Sequence, residues 1–431
     1  MKKIVSSLLI GAAALTLAAC GGGGTSNSGS DDAGSSDKIT VWAWDETFNI
    51  KAVNEAKKVY ENSDVDVEVV TMSQDDIVQK LNTSLAAGNT DGLPNIVLIE
   101  DYRIQGYLSS YPDAFSDLTD IVSEDDFSSY KFAVNKVDDK IYGVPFDSGV
   151  AGLFYRQDYL EEAGYTEADL ENITWDDYIE IGKAVKEKTG HALMSLNPSD
   201  LGLARIIMQS AGEWYTGEDG TSVTIKDNES LKYGLDIFAQ LLNEDIVEQV
   251  SDWDGGVNAV QSGSVASSPT GAWYSSTIQG AEDQSGKWRI APIPSIAGNA
   301  DSVHASSIGG AGWYVIKGVD GEENAKDFLS NTFASNKELM GTLAKEIGLV
   351  STMNAAEETD VYKAGLEFYG DEKVFENFSK WSGEVPAVNY GNHTYAIESV
   401  LAESAQRVIN GEDVDKVLTE AQGQVEAQIA N

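Results

Sequence analysis

Cysteine is almost absent from this chain. Cys20 is the only one in 431 residues, which excludes a disulfide framework, CxxC zinc ribbons and redox pairs. Histidine is scarce too: there are three, and with no His/Cys cluster to hold a transition metal, neither a metal centre nor a cofactor is expected. Positive charge is the third shortage. Lys and Arg number 29 against 70 Asp and Glu, a net charge of −41 that argues against nucleic acid, because phosphate binding requires a basic surface. An anionic ligand gains little from long-range steering towards such a protein. Common catalytic motifs are missing: there is no GxSxG elbow, HExxH, GxxxxGK[ST] loop or GxGxxG after a strand. Ser128 and Lys131 satisfy SxxK, a two-position pattern that long chains contain by chance.

What is present is enough apolar residue to fold. At 42% hydrophobic and 23% charged the chain reads as globular, and its length suggests two domains or three. Met1-Lys2-Lys3 and the interrupted apolar run Ile4 to Leu17 have the layout of a secretory signal, too short for a spanning helix. The run ends in Leu17-Ala18-Ala19-Cys20, which resembles the lipobox at which bacterial signal peptidase cuts lipoproteins. That resemblance implies a signal peptide over 1–19 and a diacylglyceryl group on Cys20. Two acyl chains, at roughly 0.8 kcal/mol per buried methylene, make a durable anchor. An ordinary secretory signal with an incidental cysteine is the other reading. After Cys20, residues 21–37 are mainly Gly, Ser, Asn and Asp with nothing apolar larger than Ala33, so 20–37 are expected to form a lipidated cysteine and flexible tether.

The folded part begins near Lys38. Ile39, Val41 and Ala43 alternate with Thr40, Trp42 and Trp44, which predicts a strand with one face buried. Helical spacing follows at Phe48, Ala52, Ala56 and Val59, then a strand at Val65, Val67 and Val69. Ser73-Gln74-Asp75-Asp76 has the pattern of a capping box before a helix with Ile77, Leu81 and Leu85 on one face. Asn95 to Ile99 is continuously apolar, as in a parallel strand covered on both sides. This succession predicts an α/β fold. Ligands of open α/β sheets sit at the carboxyl ends of strands, which directs attention to Trp44-Asp45-Glu46 and Glu100-Asp101-Tyr102-Arg103. Trp42 and Trp44 share one side of their strand; Trp42 is expected to pack on the first helix and Trp44, nearer the strand end, to be available for stacking.

Further on, 141–145 and 152–155 read as strands around Phe146-Asp147-Ser148-Gly149, where a proline and glycines permit a crossing between lobes. Thr174-Trp175-Asp176-Asp177 caps a helix carrying Tyr178, Ile181 and Val185, and a further helix is expected over 232–243. Residues 288–294 form an extended stretch limited by proline. Two C-terminal helices are expected, at Ile397, Leu401 and Val408 and again from Val414 to Val425, broken at Gly411.

Lipobox, polar tether, α/β start, Glu100-Asp101 after the third strand, Tyr142-Gly143-Val144-Pro145-Phe146 and Thr174-Trp175-Asp176-Asp177 occur in one order. Together they resemble the extracellular sugar-binding lipoproteins of ATP-binding-cassette importers, the class related to maltose-binding protein, over nearly all of 38–431. The resemblance implies an α/β fold of two lobes, each a mixed sheet flanked by helices, joined by a hinge. It assigns 38–145 with 302–350 to lobe one and 146–301 with 351–431 to lobe two. Hinge closure of periplasmic binding proteins is a standard example of that motion. It further implies a monomer on the extracellular face of a bacterial cell membrane that binds an oligosaccharide, performs no chemistry on it and delivers it to permease subunits.

A sugar ring has an apolar C–H face that lies on an aromatic plane and an edge of hydroxyls that needs partners, and Trp, Tyr and carboxylates supply both. Carried over by position, the resemblance points to Trp44 and Asp45 beyond the first strand and to Glu100, Asp101 and Arg103 beyond the third. Asp147 follows the Gly-Val-Pro segment, where a polar residue meets the sugar; a hinge hydrogen bond or cap is its alternative. Gly212-Glu213-Trp214-Tyr215 matches a segment facing the cleft from lobe two, with Trp214 stacking or, alternatively, filling core. Gly271-Ala272-Trp273-Tyr274 resembles an aromatic turn at a helix start, again with core as the alternative for Trp273. Gly309 and Gly310 match a return segment where backbone approaches ligand, or else a tight strand crossing. Tyr390 and His393 precede the C-terminal helices, where a last aromatic is often found. The first loop carries fewer charged or amide groups than is common in the class, which leaves the identity of the sugar open. Two rivals stand beside this reading: a tethered glycoside hydrolase using carboxylates such as Glu100 and Asp147, and a receptor of the same fold for a polyamine, phosphate ester, iron complex or peptide.

Overall fold

The computed structural model describes residues 37–429. The expected signal (1–19), the lipidation site Cys20 and all but the last residue of the expected tether (20–37) lie outside the described residues. Among the described residues, no helix is long and apolar enough to cross a membrane.

The larger sheet begins as the alternation predicts. β1 (Lys38–Ala43) lies parallel to both β2 (Asp66–Thr71) and β3 (Ile96–Glu100). Ile39, Val41 and Ala43 are buried in one core with Ile50, Ala52, Val53 and Ala56 of α1 (Asn49–Val59). Trp42, on the opposite face, belongs to another core with Ile77, Leu81 and Leu85 of α2 (Gln74–Ala86). This corrects the expectation that Trp42 packs on the first helix. The sheet is covered on both sides, and strand alternation sends Trp42 away from the face that α1 occupies. Ser73 caps α2 by accepting from the Asp76 N–H at 3.1 Å. α3 (Asp101–Ser110) starts directly at the end of β3.

The chain then forms a small hairpin, β4 (Lys136–Val137) with β5 (Lys140–Ile141), and enters β6 (Gly143–Asp147), all five residues of which are buried. β7 (Ala151–Arg156) is the middle strand of a second sheet. It lies between β10 (Ser267–Gly271) and β11 (Trp288–Ala291), antiparallel to each. A short parallel pair, β8 (Met194–Leu196) with β9 (Val247–Gln249), accompanies it. The helix Trp175–Thr189 opens with the predicted capping box: Thr174 Oγ1 accepts from the Asp177 N–H at 3.2 Å, and the Asp177 carboxylate accepts from the Thr174 N–H at 2.9 Å. β12 (Ala311–Val315) returns to the first sheet, inserting antiparallel between β3 and β6 to give the order β2-β1-β3-β12-β6. The continuously apolar β3 therefore has a parallel neighbour on one edge and an antiparallel one on the other. The C-terminal helices Thr394–Ile409 and Val414–Ile429 flank Gly411, whose φ of 89° is the left-handed conformation that glycine adopts most readily.

Three segments run side by side between the two sheets. Ala151 N–H donates to the Ser306 carbonyl at 2.8 Å, Ile308 N–H to the Gly149 carbonyl at 2.8 Å, and Ser148 N–H to the Val350 carbonyl at 3.3 Å. Gly149, at φ 63°, has no room for a side chain, since a Cβ there would lie 2.8 Å from the Gly310 nitrogen. These three segments are the backbone of the site.

Candidate functional site

A cleft of about 470 Å3 lies over the ends of β1, β3 and β6, the start of β12 and the turn after β10. The sheet topology dictates this position, because the segments 44–48 and 309–310 lie just beyond the strand ends, where the ladder stops. Seven sequence-predicted residues meet there: Trp44, Asp45, Glu100, Asp147, Trp273, Gly309 and Gly310. None of the described residues lining the cleft is a lysine or arginine, so its charged groups are carboxylates alone.

Each is held by specific bonds. Trp273 donates its indole N–H to the Ile308 carbonyl at 2.9 Å, tying the ring to the crossing segment. A Cβ at Gly271 would come within 2.1 Å of that indole nitrogen and one at Gly309 within 3.3 Å, so glycine at both positions makes space for the ring. Glu100 Oε2 accepts from Gln74 Nε2 at 3.3 Å and from the Tyr395 hydroxyl, and faces Arg103 Nε at 3.4 Å; none of these uses Oε1. Asp147 is 7% exposed, its Oδ1 accepts from the Gly149 N–H at 3.1 Å, and burial pushes its carboxyl up to about 6. Asp45 spends one oxygen on structure: Oδ1 accepts from Thr47 N–H at 2.8 Å and Phe48 N–H at 3.0 Å, fixing the turn into α1. Asn49 Oδ1 braces the same loop by accepting from the Trp44 and Asp45 N–H groups.

Other expected residues lie elsewhere. Asp101 is 1% exposed and ion-paired with the wholly buried Lys131, whose ammonium also donates to the Asp147 carbonyl at 2.9 Å. Burial pushes the Asp101 carboxyl up against the pull of Lys131. This pair is buried and, contrary to the expectation for Asp101, does not line the cleft. Trp214 is 2% exposed; its ring stacks on Tyr102 with centroids 5.3 Å apart, meets Tyr390 at 4.6 Å, and its indole N–H donates to Thr394 Oγ1 at 3.1 Å. Tyr215 donates to Glu398 Oε1 at 2.9 Å and Tyr390 to Gln209 Oε1 at 3.1 Å, both from buried positions. These three therefore fill core instead of lining the cleft. The polar, glycine-flanked segment around Trp214 gives no local sign of the tyrosines and C-terminal residues that cover it.

Arg103 lies with its guanidinium 3.9 Å over the Tyr395 ring, and it lines, with His393, a different pocket of about 430 Å3 that shares no residue with the cleft. Sequence reasoning missed Trp253, whose ring lies 5.8 Å from that of Trp273, tilted 32°. Its signal was present in Asp252-Trp253-Asp254-Gly255-Gly256, an indole in a polar setting at a helix start. Gln74, Ser276 and Thr277 also line the cleft without having been singled out. Among the described residues no group of three His, Cys, Asp or Glu could hold a metal ion.

The family described as bacterial extracellular solute-binding protein matches residues 50–369. The lactose-binding protein of Rhizobium radiobacter is 39% identical over 432 aligned residues, covering 100% of this chain and 98% of that protein. The arabinooligosaccharide-binding protein of Bacillus subtilis strain 168 is 26% identical over 71% of this chain and 72% of its own length. Among solved structures, the sugar-binding protein MalE from Xanthomonas citri aligns with a TM-score of 0.74 at 18% identity, over 91% of this chain and 97% of that one. The ABC-transporter-associated binding protein from B. animalis subsp. lactis Bl-04, in complex with β-1,6-galactobiose, aligns with a TM-score of 0.72 at 21% identity, over 90% and 96%. These structural likenesses carry the two-lobed α/β fold of maltose-binding-type proteins. The relatives are named as binding proteins, which removes the hydrolase alternative. With its family match spanning most of the chain and a relative alike from end to end, the chain belongs to the bacterial extracellular solute-binding proteins.

Proposed function

We propose that the protein is a monomeric receptor, anchored to the outer face of the cell membrane through Cys20, that takes a neutral oligosaccharide into the cleft and hands it unchanged to an ATP-binding-cassette importer. The observation that carries this reading is the chemistry of the cleft: the rings of Trp44, Trp253 and Trp273 beside Glu100 and Asp147, with no cationic side chain among the lining residues. Indole faces suit the C–H faces of sugar rings, and carboxylates accept from pairs of hydroxyls through charge-assisted bonds. Gly309 and Gly310 let backbone groups approach the ligand. Asp45 retains one oxygen for the same purpose. The extracellular character of the family supports the location, and the names of the Rhizobium radiobacter and Bacillus subtilis relatives support lactose and arabino-oligosaccharides as the first ligands to try.

In this reading the lobes are the portions 38–145 with 302–350 and 146–301 with 351–431, and the three adjoining segments around Ser148, Ile308 and Val350 are the hinge. Calorimetric titration with lactose, arabino-oligosaccharides and maltodextrins, against spermidine, a sugar phosphate and a peptide, tests the proposal. Saturable binding of a neutral sugar, recovered intact, is expected. Tight binding only outside the carbohydrates, or release of hydrolysis products, contradicts it.

A further inference from the structure

Trp253 is 58% exposed, the one aromatic among the large hydrophobic residues that stand exposed in the described part of the chain. Exposed Val59 and Val137 are small by comparison, so an uncovered indole is the most costly apolar surface in this group. The ring is also well placed. Asp252 caps its helix, Trp253–Gln261, by accepting from the Gly255 N–H at 2.9 Å, and the indole packs edge-on against Tyr274 at 5.4 Å as well as near Trp273. It is therefore fixed at its base and open beyond.

A second cavity, of about 220 Å3, lies past this ring. Trp253 is the residue that lines both it and the main cleft. The second cavity has a mixed wall: Asn197, Asp200, Ser268 and Thr270 contribute polar groups beside apolar side chains such as Leu203 and Val250, with Gly256 on the helix that carries Trp253. Asp200 Oδ1 accepts from the Gly202 N–H at 2.8 Å and from the Arg205 guanidinium at 3.4 Å, bonds that leave Oδ2 unused, and Asn197 Nδ2 donates to the Ser251 carbonyl at 3.2 Å. An exposed indole between two cavities, one aromatic and acidic and the other offering hydroxyl, amide and carboxylate groups among apolar ones, is a bridge for a chain of linked rings.

We propose that Trp253 sets the ligand length: a saccharide of three or more units runs from the main cleft across Trp253 into the second cavity, which holds the additional unit by its hydroxyls. This inference rests on the sugar-binding reading and specifies the size class of the ligand. A compact disaccharide would occupy the main cleft and leave the second cavity to water. The side groups facing that cavity offer hydrogen bonds and no cation, so the additional unit is another neutral sugar.

The test is the ratio of affinities for long and short ligands, read by calorimetry with lactose against galactosyl-lactose and arabinobiose against arabinotriose. The wild type is expected to favour the trisaccharide of at least one pair by tenfold or more. Gly256→Leu is the diagnostic variant, because a Cβ at Gly256 meets only Ser195 Oγ, at 3.8 Å, so a larger side chain grows into the second cavity without backbone strain. Gly256→Leu is expected to lower that ratio at least tenfold, and Trp253→Ala, an exposed position whose loss leaves folding intact, to lower it as well. Melting curves of both variants verify the fold. Equal binding of di- and trisaccharide by the wild type, or an unchanged ratio in both variants, overturns the inference while leaving the main cleft a sugar site. Absence of binding of all four sugars to the wild type overturns the underlying reading instead.

Discussion

Replacing Trp273 by alanine separates a ligand-stacking ring from a ring that only supports the fold. An aromatic side chain offers roughly 150–250 Å2, and a sugar lying on one face covers about a third of that. At about 25 cal/mol per Å2, this contact contributes about 1–2 kcal/mol, so Trp273→Ala should weaken sugar binding roughly 5- to 30-fold. The alanine variant also loses the indole N–H bond to the Ile308 carbonyl. Trp273→Phe separates the two effects in part, because it keeps a smaller aromatic plane while removing the hydrogen bond, whose net worth is about 1 kcal/mol. Calorimetry on the three proteins, with thermal melting in parallel, should therefore rank affinity as wild type, then Phe, then Ala. Trp214→Ala is the contrasting control. That ring is enclosed by Tyr102, Tyr390 and Thr394, so its removal should cost about 3–5 kcal/mol of stability. Trp273→Ala with unchanged affinity and a large loss of melting temperature would refute the stacking assignment.

Lys131→Met should destabilise by about 3–5 kcal/mol in denaturant unfolding, since it leaves Asp101 buried without its partner; Lys131→Met with Asp101→Leu should recover most of the loss. A single variant within 1 kcal/mol of wild type on this scale would contradict the structural role assigned to the pair. The Glu372 carboxyl, which accepts from the Ile290 N–H at 3.0 Å, is pushed by burial from 4.5 to about 7. A group raised on folding binds its proton more tightly in the folded state, so its contribution is complete below about 4.5 and is lost as pH rises through about 7. Melting temperature should therefore fall between pH 5 and 8, and Glu372→Gln should flatten that slope; an equal slope in both proteins contradicts the assignment. Cys20→Ser should move the protein from the membrane fraction to the medium when expressed with its own leader, and retention on the membrane would contradict lipid anchoring at that residue.

Local pattern made much of the fold legible. The alternation around Val41, the cap at Ser73, the capping box at Thr174 and the break at Gly411 all report backbone geometry within a few residues, and each recurs in the structure. Half of the candidate site was legible for a related reason: Glu100 and Asp147 end strands of one sheet, Trp44 follows directly on a third, and strand ends converge. Contacts between distant segments were not. Nothing near Trp214 announces Tyr102 and Tyr390, and nothing near Asp101 announces Lys131, which was noticed only as part of a chance SxxK pattern. Trp42 faced the unexpected helix because a strand in a doubly covered sheet has two apolar sides, and alternation alone does not say which helix covers which. Trp253 was missed because its importance comes from the two cavities it separates, a property of the folded surface.

A crystal structure of the protein with the tightest-binding sugar of the panel tests the central claim most directly. The account predicts sugar density within the cleft, with a ring face on Trp273 and hydroxyls within hydrogen-bond distance of Glu100 or Asp147. Sugar bound away from these residues, or a site from which both carboxylates are excluded, would contradict it.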